Sequence, residues 1–65
     1  MEAFVISKIE STDKELVRRL YDLGLRPGLK VRIVARISFG SVTVIQYGAT
    51  KLALNEEEFA CLRGH

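Results

Sequence analysis

Apolar and polar positions along this chain change their period once, and the change falls in residues 18–28, RRLYDLGLRPG. Before it, Leu16, Val17, Leu20 and Leu23 recur at one-, three- and four-residue steps, which puts them on one stripe of a helix. Beyond residue 30 the alternation is that of strands. Gly24 follows Leu23 where a terminating helix needs positive φ, which glycine adopts without a Cβ penalty. Pro27-Gly28 reads as the central pair of a type II turn, with Pro fixing φ first and Gly supplying φ > 0 second. Leu25 is caught between these two stops and is apolar although it follows neither element. The roles of Gly24, Pro27 and Gly28 are therefore structural.

Either side of this hinge the elements follow in order. Residues 3–9, with Phe4, Val5, Ile6 and Ile9, predict a first strand. Ser11-Thr12 marks a helix start, with Thr12 as N-cap and Glu15 closing a capping box. Asp13 and Glu15 suit the positive end of the helix dipole, and Arg18 and Asp22 are spaced to pair. A helix of two to three turns is not stable alone, so it must dock onto the sheet. In residues 30–37, Val31, Ile33, Ala35 and Ile37 are expected inward, with Lys30, Arg32 and Arg36 outward and Val34 among them.

Residues 38–41 form a hairpin connection in which Gly40 is available for a left-handed position. Residues 42–47 return as the partner strand, Gly48-Ala49 turns, and residues 50–54 make a third strand with Leu52 and Leu54 inward. Asn55 caps a second helical turn with Glu58 as its capping-box partner, and acids at 56–58 complement the dipole. Phe59 and Ala60 are expected to turn inward, and Cys61-Leu62-Arg63 is long enough for a closing strand. The predicted class is mainly β: a small antiparallel barrel with one α-helix in its N-terminal half and a short C-terminal helical turn. A sheet of this size removes its exposed edges by curling.

Composition narrows the picture. A chain of 65 residues is one domain, spanning residues 1–65, and buries only about 60% of its unfolded surface. Its 48% hydrophobic and 28% charged residues belong to a folded globule rather than a disordered chain. No apolar run approaches the roughly 18 residues of a membrane span. Glu2, and Lys8 inside the first apolar run, argue against a secretory signal and against direct membrane insertion. A single cysteine excludes an internal disulfide and suits a reducing cytosol. The net charge of +2 rests on ten basic against eight acidic residues, too even a balance to indicate nucleic acid.

A helix ending in RRLYDLGLRPG and running into LKVRIVARI resembles the FeoA family, as do TVIQYGATKLAL and the acidic turn NEEEFACL. The Leu20-x-x-Leu23-Gly24-Leu25-x-Pro27-Gly28 core is the most specific part, and the likeness runs from about Ile6 to Leu62. The hairpin departs from the family, with Gly40-Ser41-Val42 where Gly-Asp-Pro is frequent, and Asn55 stands where an Arg is common. The resemblance implies an SH3-like barrel that accompanies the bacterial ferrous-iron transporter FeoB. It implies a cytoplasmic accessory protein acting by protein–protein interaction with the cytosolic GTP-binding domain of FeoB, reaching the inner membrane only through that partner.

The residues offer little for chemistry. Cys61 and His65 are four apart, but Gly64 intervenes, and two ligands fall short of a zinc site. Cys61 is expected to be a small core hydrophobe. No Gly-rich loop precedes a Lys-Ser/Thr pair, so nucleotide binding has no support. No catalytic residue, metal site or cofactor is expected. Tyr21, Leu25 and Arg26, presented between the two turns, are the candidate partner-binding residues, with strand cations as a rim. The alternative is a nucleic-acid-binding small barrel using Lys30, Arg32 and Arg36 with Tyr47 or Phe39 to stack bases.

Overall fold

A computed structural model describes residues 2–39 and 41–64. It contains strands β1 (Glu2–Ile9), β2 (Lys30–Ile37), β3 (Val42–Tyr47), β4 (Thr50–Leu54) and β5 (Leu62–Gly64), with helices α1 (Lys14–Asp22) and α2 (Glu56–Ala60). The strands lie in the order β4-β3-β2-β1-β5, every neighbouring pair antiparallel. This is the mainly-β architecture expected from the alternation.

The hinge folds as its residues dictate. The N–H of Gly24 donates to the Tyr21 carbonyl at 2.9 Å and that of Leu25 to the Leu20 carbonyl at 3.2 Å. With Gly24 at φ +95, these two bonds make a Schellman stop. Leu20 and Leu25, its first and last apolar residues, are both fully buried. Leu29 N–H then donates to the Arg26 carbonyl across Pro27-Gly28, with Gly28 at φ +92, as a type II turn requires. The turn is fastened to β1, since Ile6 accepts from Gly28 N–H at 2.7 Å and donates to the Leu29 carbonyl at 2.9 Å.

Ile6 is also where β1 changes partner. Residues Glu2 to Val5 pair with β2, whereas Ile6 to Ile9 pair with β5, with a register shift between Ile6 and Lys8. One strand thus serves both halves of the sheet and bends it around the core. Ile6, Leu20, Leu25, Val31, Ile45 and Leu54 are the most deeply buried side chains. Phe4 and Phe59 close one side of the core edge-to-face, with ring centroids 6.1 Å apart. Cys61 is buried and its thiol donates to the Glu57 carbonyl at 3.3 Å, so it packs as the small hydrophobe expected.

Several local expectations change. The N-cap of α1 is Asp13 and not Thr12: Asp13 Oδ1 accepts from the N–H groups of Glu15 and Leu16, while Ser11 Oγ accepts from Asp13 N–H. A carboxylate at this position satisfies two free amides and complements the dipole, which the Thr12 hydroxyl cannot do as well. Asn55 and Glu58 do form the reciprocal capping box on α2. The second Glu58 oxygen accepts from Arg19 of α1, so one carboxylate caps one helix and ties it to the other.

Strand β2 departs most. Ile33 faces Ile45, but the next pair is Ala35 with Val44, so Val34 is an extra, bulged residue. A bulge reverses the side-chain alternation beyond it. Val31 and Ile33 are buried as expected, whereas Ala35 and Ile37 are exposed on the outer face. Leu23 is 39% exposed, at the end of its stripe, and Ala60 is exposed rather than inward. In the hairpin, Gly40 lies outside the described residues, and Ser41 carries a positive φ of 51.

Two stability predictions follow from these contacts. Leu25→Ala is expected to lower unfolding free energy by about 3 kcal/mol in chemical denaturation, as a buried leucine truncation does. Asp13→Ala is expected to cost about 1 kcal/mol, while Thr12→Ala stays within about 0.5 kcal/mol. Equal effects of the two cap variants would contradict the Asp13 assignment.

Candidate functional site

The three candidate residues of the hinge do not form one surface. The Schellman stop aims Leu25 into the core, where it is 0% exposed, so it is a packing residue and not a contact for a partner. Tyr21 remains 45% exposed on the last turn of α1, and Arg26 is exposed at the first corner of the type II turn. Leu23 joins them at the surface through its own exposure. The Tyr47 hydroxyl donates to the Leu23 carbonyl at 2.6 Å, satisfying a carbonyl that the ending helix leaves free. Tyr47 thereby fastens the helix end to β3, and its ring lies against Gly24.

Beyond Tyr47 the surface continues onto the sheet. Lys30, Arg32, Gln46, Tyr47 and Gly48 line a shallow depression of about 270 Å³. Arg32, Gln46 and Lys51 are register partners across β2, β3 and β4. Their row lies on the outer face, because the next row along, Ile33, Ile45 and Leu52, turns toward the core. Past the Val34 bulge the outer face becomes apolar, with Ala35, Val44 and Ala53 in one row and Ile37 beside Val42. Ile37 is 49% exposed there.

The bulge also separates cations that the sequence groups together. Arg36 pairs in register with Thr43, whose other neighbour is the buried Leu54, so it belongs to the inner side at the open end of the sheet. There its guanidinium meets the Glu2 carboxylate at 3.1 and 3.2 Å. Lys30, Arg32 and Arg36 are therefore not one basic stripe. Of the two proposed stacking residues, Tyr47 is half-buried with its hydroxyl engaged, and Phe39 stands at the far hairpin, 95% exposed. The structure does not bring together the nucleic-acid constellation.

A groove of about 480 Å³ lies at that hairpin, lined by Arg36, Ile37, Val42, Glu56, Phe59 and Ala60 among others. Among the described residues no group of three or more His, Cys, Asp or Glu side chains is placed to hold a metal ion. His65, the other half of the Cys61 pair, lies outside the described residues. No helix among the described residues is long and apolar enough to cross a membrane.

The missed features had readable traces. Asp13 is itself a good cap residue, one position after Thr12. The outer apolar rows could have been suspected from Val42 and Val44, which alternate with the inward residues of β3 yet are not polar. The Arg19–Glu58 contact joins residues far apart in sequence and has no local signal.

Comparison with known proteins agrees with this architecture. Residues 1–63 match the FeoA domain family. FeoA of Stenotrophomonas maltophilia, solved in complex with zinc, is described as a procaryotic SH3 domain protein and a candidate activating factor for ferrous iron transport. It superimposes with a TM-score of 0.80 at 27% identity, covering 97% of this chain and 78% of its own. Protein PA4359 from Pseudomonas aeruginosa, solved in solution, gives 0.76 at 25% identity over 98% of this chain and 87% of its own. A segment of the metal-dependent transcriptional regulator MtsR shares the fold, with a TM-score of 0.80 at 22% identity over 92% of this chain and 29% of that protein. No curated protein sequence matches the chain. The helix stop, the turn that follows it, the five-stranded SH3-like sheet and the match over residues 1–63 together make this chain a member of the FeoA domain family.

Proposed function

We propose that the chain is a small cytoplasmic accessory protein of bacterial ferrous iron uptake that binds the cytosolic GTP-binding domain of a FeoB-type transporter. The observation that carries this reading is the FeoA-domain match along residues 1–63. The description of the S. maltophilia relative as a candidate transport-activating factor supports it. On this reading the protein regulates or assembles the transporter and catalyses nothing itself, and it meets the inner membrane only through its partner.

Tyr21 and Arg26 are the proposed contact residues at the helix end, with Leu23 between them. Aromatic and arginine side chains at the centre of a contact carry a disproportionate share of binding energy. Leu25 supports them from beneath through its burial.

Co-purification of the protein with the transporter's GTP-binding domain, with and without GTP, tests the reading. The double variant Tyr21→Ala, Arg26→Glu is expected to keep its circular dichroism spectrum and to bind at least about tenfold more weakly, a loss of about 1.4 kcal/mol. Full-strength binding by that folded variant would remove the helix end from the interface. Failure of the unaltered protein to co-purify in either nucleotide state would remove the transporter as its partner.

A further inference from the structure

We infer that the groove beside the β2–β3 hairpin receives Phe39 of a second copy of this chain, so that two copies pair about a two-fold axis at their hairpins. This pairing is independent of the transporter reading. Phe39 is 95% exposed, and a large aromatic side chain left wholly in water marks a contact surface when apolar neighbours adjoin it. Those neighbours are present. Ile37, Val42, Phe59 and Ala60 give the groove its apolar walls, and Ile37 is itself 49% exposed. Phe39 leaves the chain between Ser38 and Ser41, which both line the groove, yet it is not part of the lining. Knob and socket stand at one end of the molecule, and the knob does not fill its own socket.

That arrangement is self-complementary. In an isologous contact one patch serves both copies, and each contact is returned by its symmetry mate. With Phe39 at the rim of its own groove, the axis that carries it into the second copy carries the second copy's Phe39 back. A knob remote from its socket would instead join copies head to tail in an open chain. The groove suits a ring in size and chemistry. Its volume of about 480 Å³ accommodates an aromatic side chain, and Phe59, which meets Phe4 edge-to-face, offers a second aromatic surface within it.

Charge permits the approach. The groove lining holds one cation, Arg36, and one anion, Glu56, so two copies meeting here escape the penalty of like charges set together. The area sets the strength. A buried phenylalanine removes about 200 Å² from water, and the groove that receives it loses about as much. Two reciprocal insertions bury roughly 800 Å² in total, short of the roughly 1,200 Å² at which specific complexes become stable. The pair is therefore transient, forming at high concentration and parting on dilution.

The test dilutes the ¹⁵N-labelled full chain from about 1 mM to about 10 µM, following amide shifts and sedimentation equilibrium together. The amides of Ile37, Phe39, Val42, Phe59 and Ala60 are expected to shift with concentration, and the mass to rise toward twice that of the chain. Phe39→Ala is expected to keep its circular dichroism and to weaken pairing at least about tenfold. Ala60→Arg, at an exposed position of the groove wall, is expected to do the same by blocking the socket. Labelled Phe39→Ala is then expected to shift at its groove amides when unlabelled Ala60→Arg is added, since that variant keeps the knob. It is not expected to shift when unlabelled Phe39→Ala is added.

An unchanged spectrum and mass across the dilution would overturn the inference. So would concentration-dependent shifts confined to another face, a mass that climbs past twice the chain, or undiminished pairing by Phe39→Ala. Groove amides that shift only on addition of the transporter's GTP-binding domain, and never with concentration, would give the groove to that domain and overturn the pairing. If the chain pairs but no transporter domain co-purifies, the pairing stands and the transporter reading falls.

Discussion

The burial of Leu25 between two backbone stops is the constraint from which the rest of this small barrel follows. Gly24 ends the helix in a way that returns the chain over its last turn and drives Leu25 against Leu20. Two residues later the Pro27-Gly28 turn reverses the chain again and binds both polar groups of the Ile6 backbone. Because Ile6 is also where β1 passes from β2 to β5, one cluster of backbone hydrogen bonds joins the helix stop, the turn and both halves of the sheet. In a domain of this size the margin of stability is small, and truncating one leucine removes a large part of it. The same constraint decides which hinge residues are available to a partner: Leu25 is spent on the core, leaving Tyr21, Leu23 and Arg26 outside.

A second, smaller irregularity shapes the surface. Had β2 kept strict alternation, Ile37 would join the core and Arg36 would stand with Lys30 and Arg32 in a basic stripe. The extra residue Val34 exchanges those roles, moving Arg36 toward Glu2 and Ile37 onto the outer face. One bulged residue thus sets Ile37 beside Val42 and separates Arg36 from Lys30 and Arg32. Tyr47 connects that face to the helix end, since its hydroxyl holds the Leu23 carbonyl while its neighbour Gln46 stands in the charged row.

The architecture was legible in the sequence because it depends on periodicity and turn chemistry, both local. Strands β3 and β4, the Asn55–Glu58 box, the type II turn and the burial of Cys61 all follow from residues close together in the chain. The site was less legible because it depends on geometry accumulated over distance. Val34 looks like any β-branched strand residue, and nothing local marks it as the residue left without a partner. Leu25 reads in the sequence as an exposed anchor, and only the docking of the hinge onto β1 shows it to be a core residue. Thr12 and Asp13 are both competent caps, and the choice rests on one residue's difference in where the helical dihedrals begin.

The helix end with Tyr21 and Arg26 is the proposed working surface, and the hinge glycines, Pro27 and Leu25 hold it in shape. The most direct measurement is amide line broadening in the ¹⁵N-labelled chain as the unlabelled GTP-binding domain of a FeoB-type transporter is added. The account predicts broadening first at Tyr21 and Arg26, with β5 and the start of α1 unaffected. Broadening confined to β5 and α1's first turn, or none at a large excess of the domain, would contradict it.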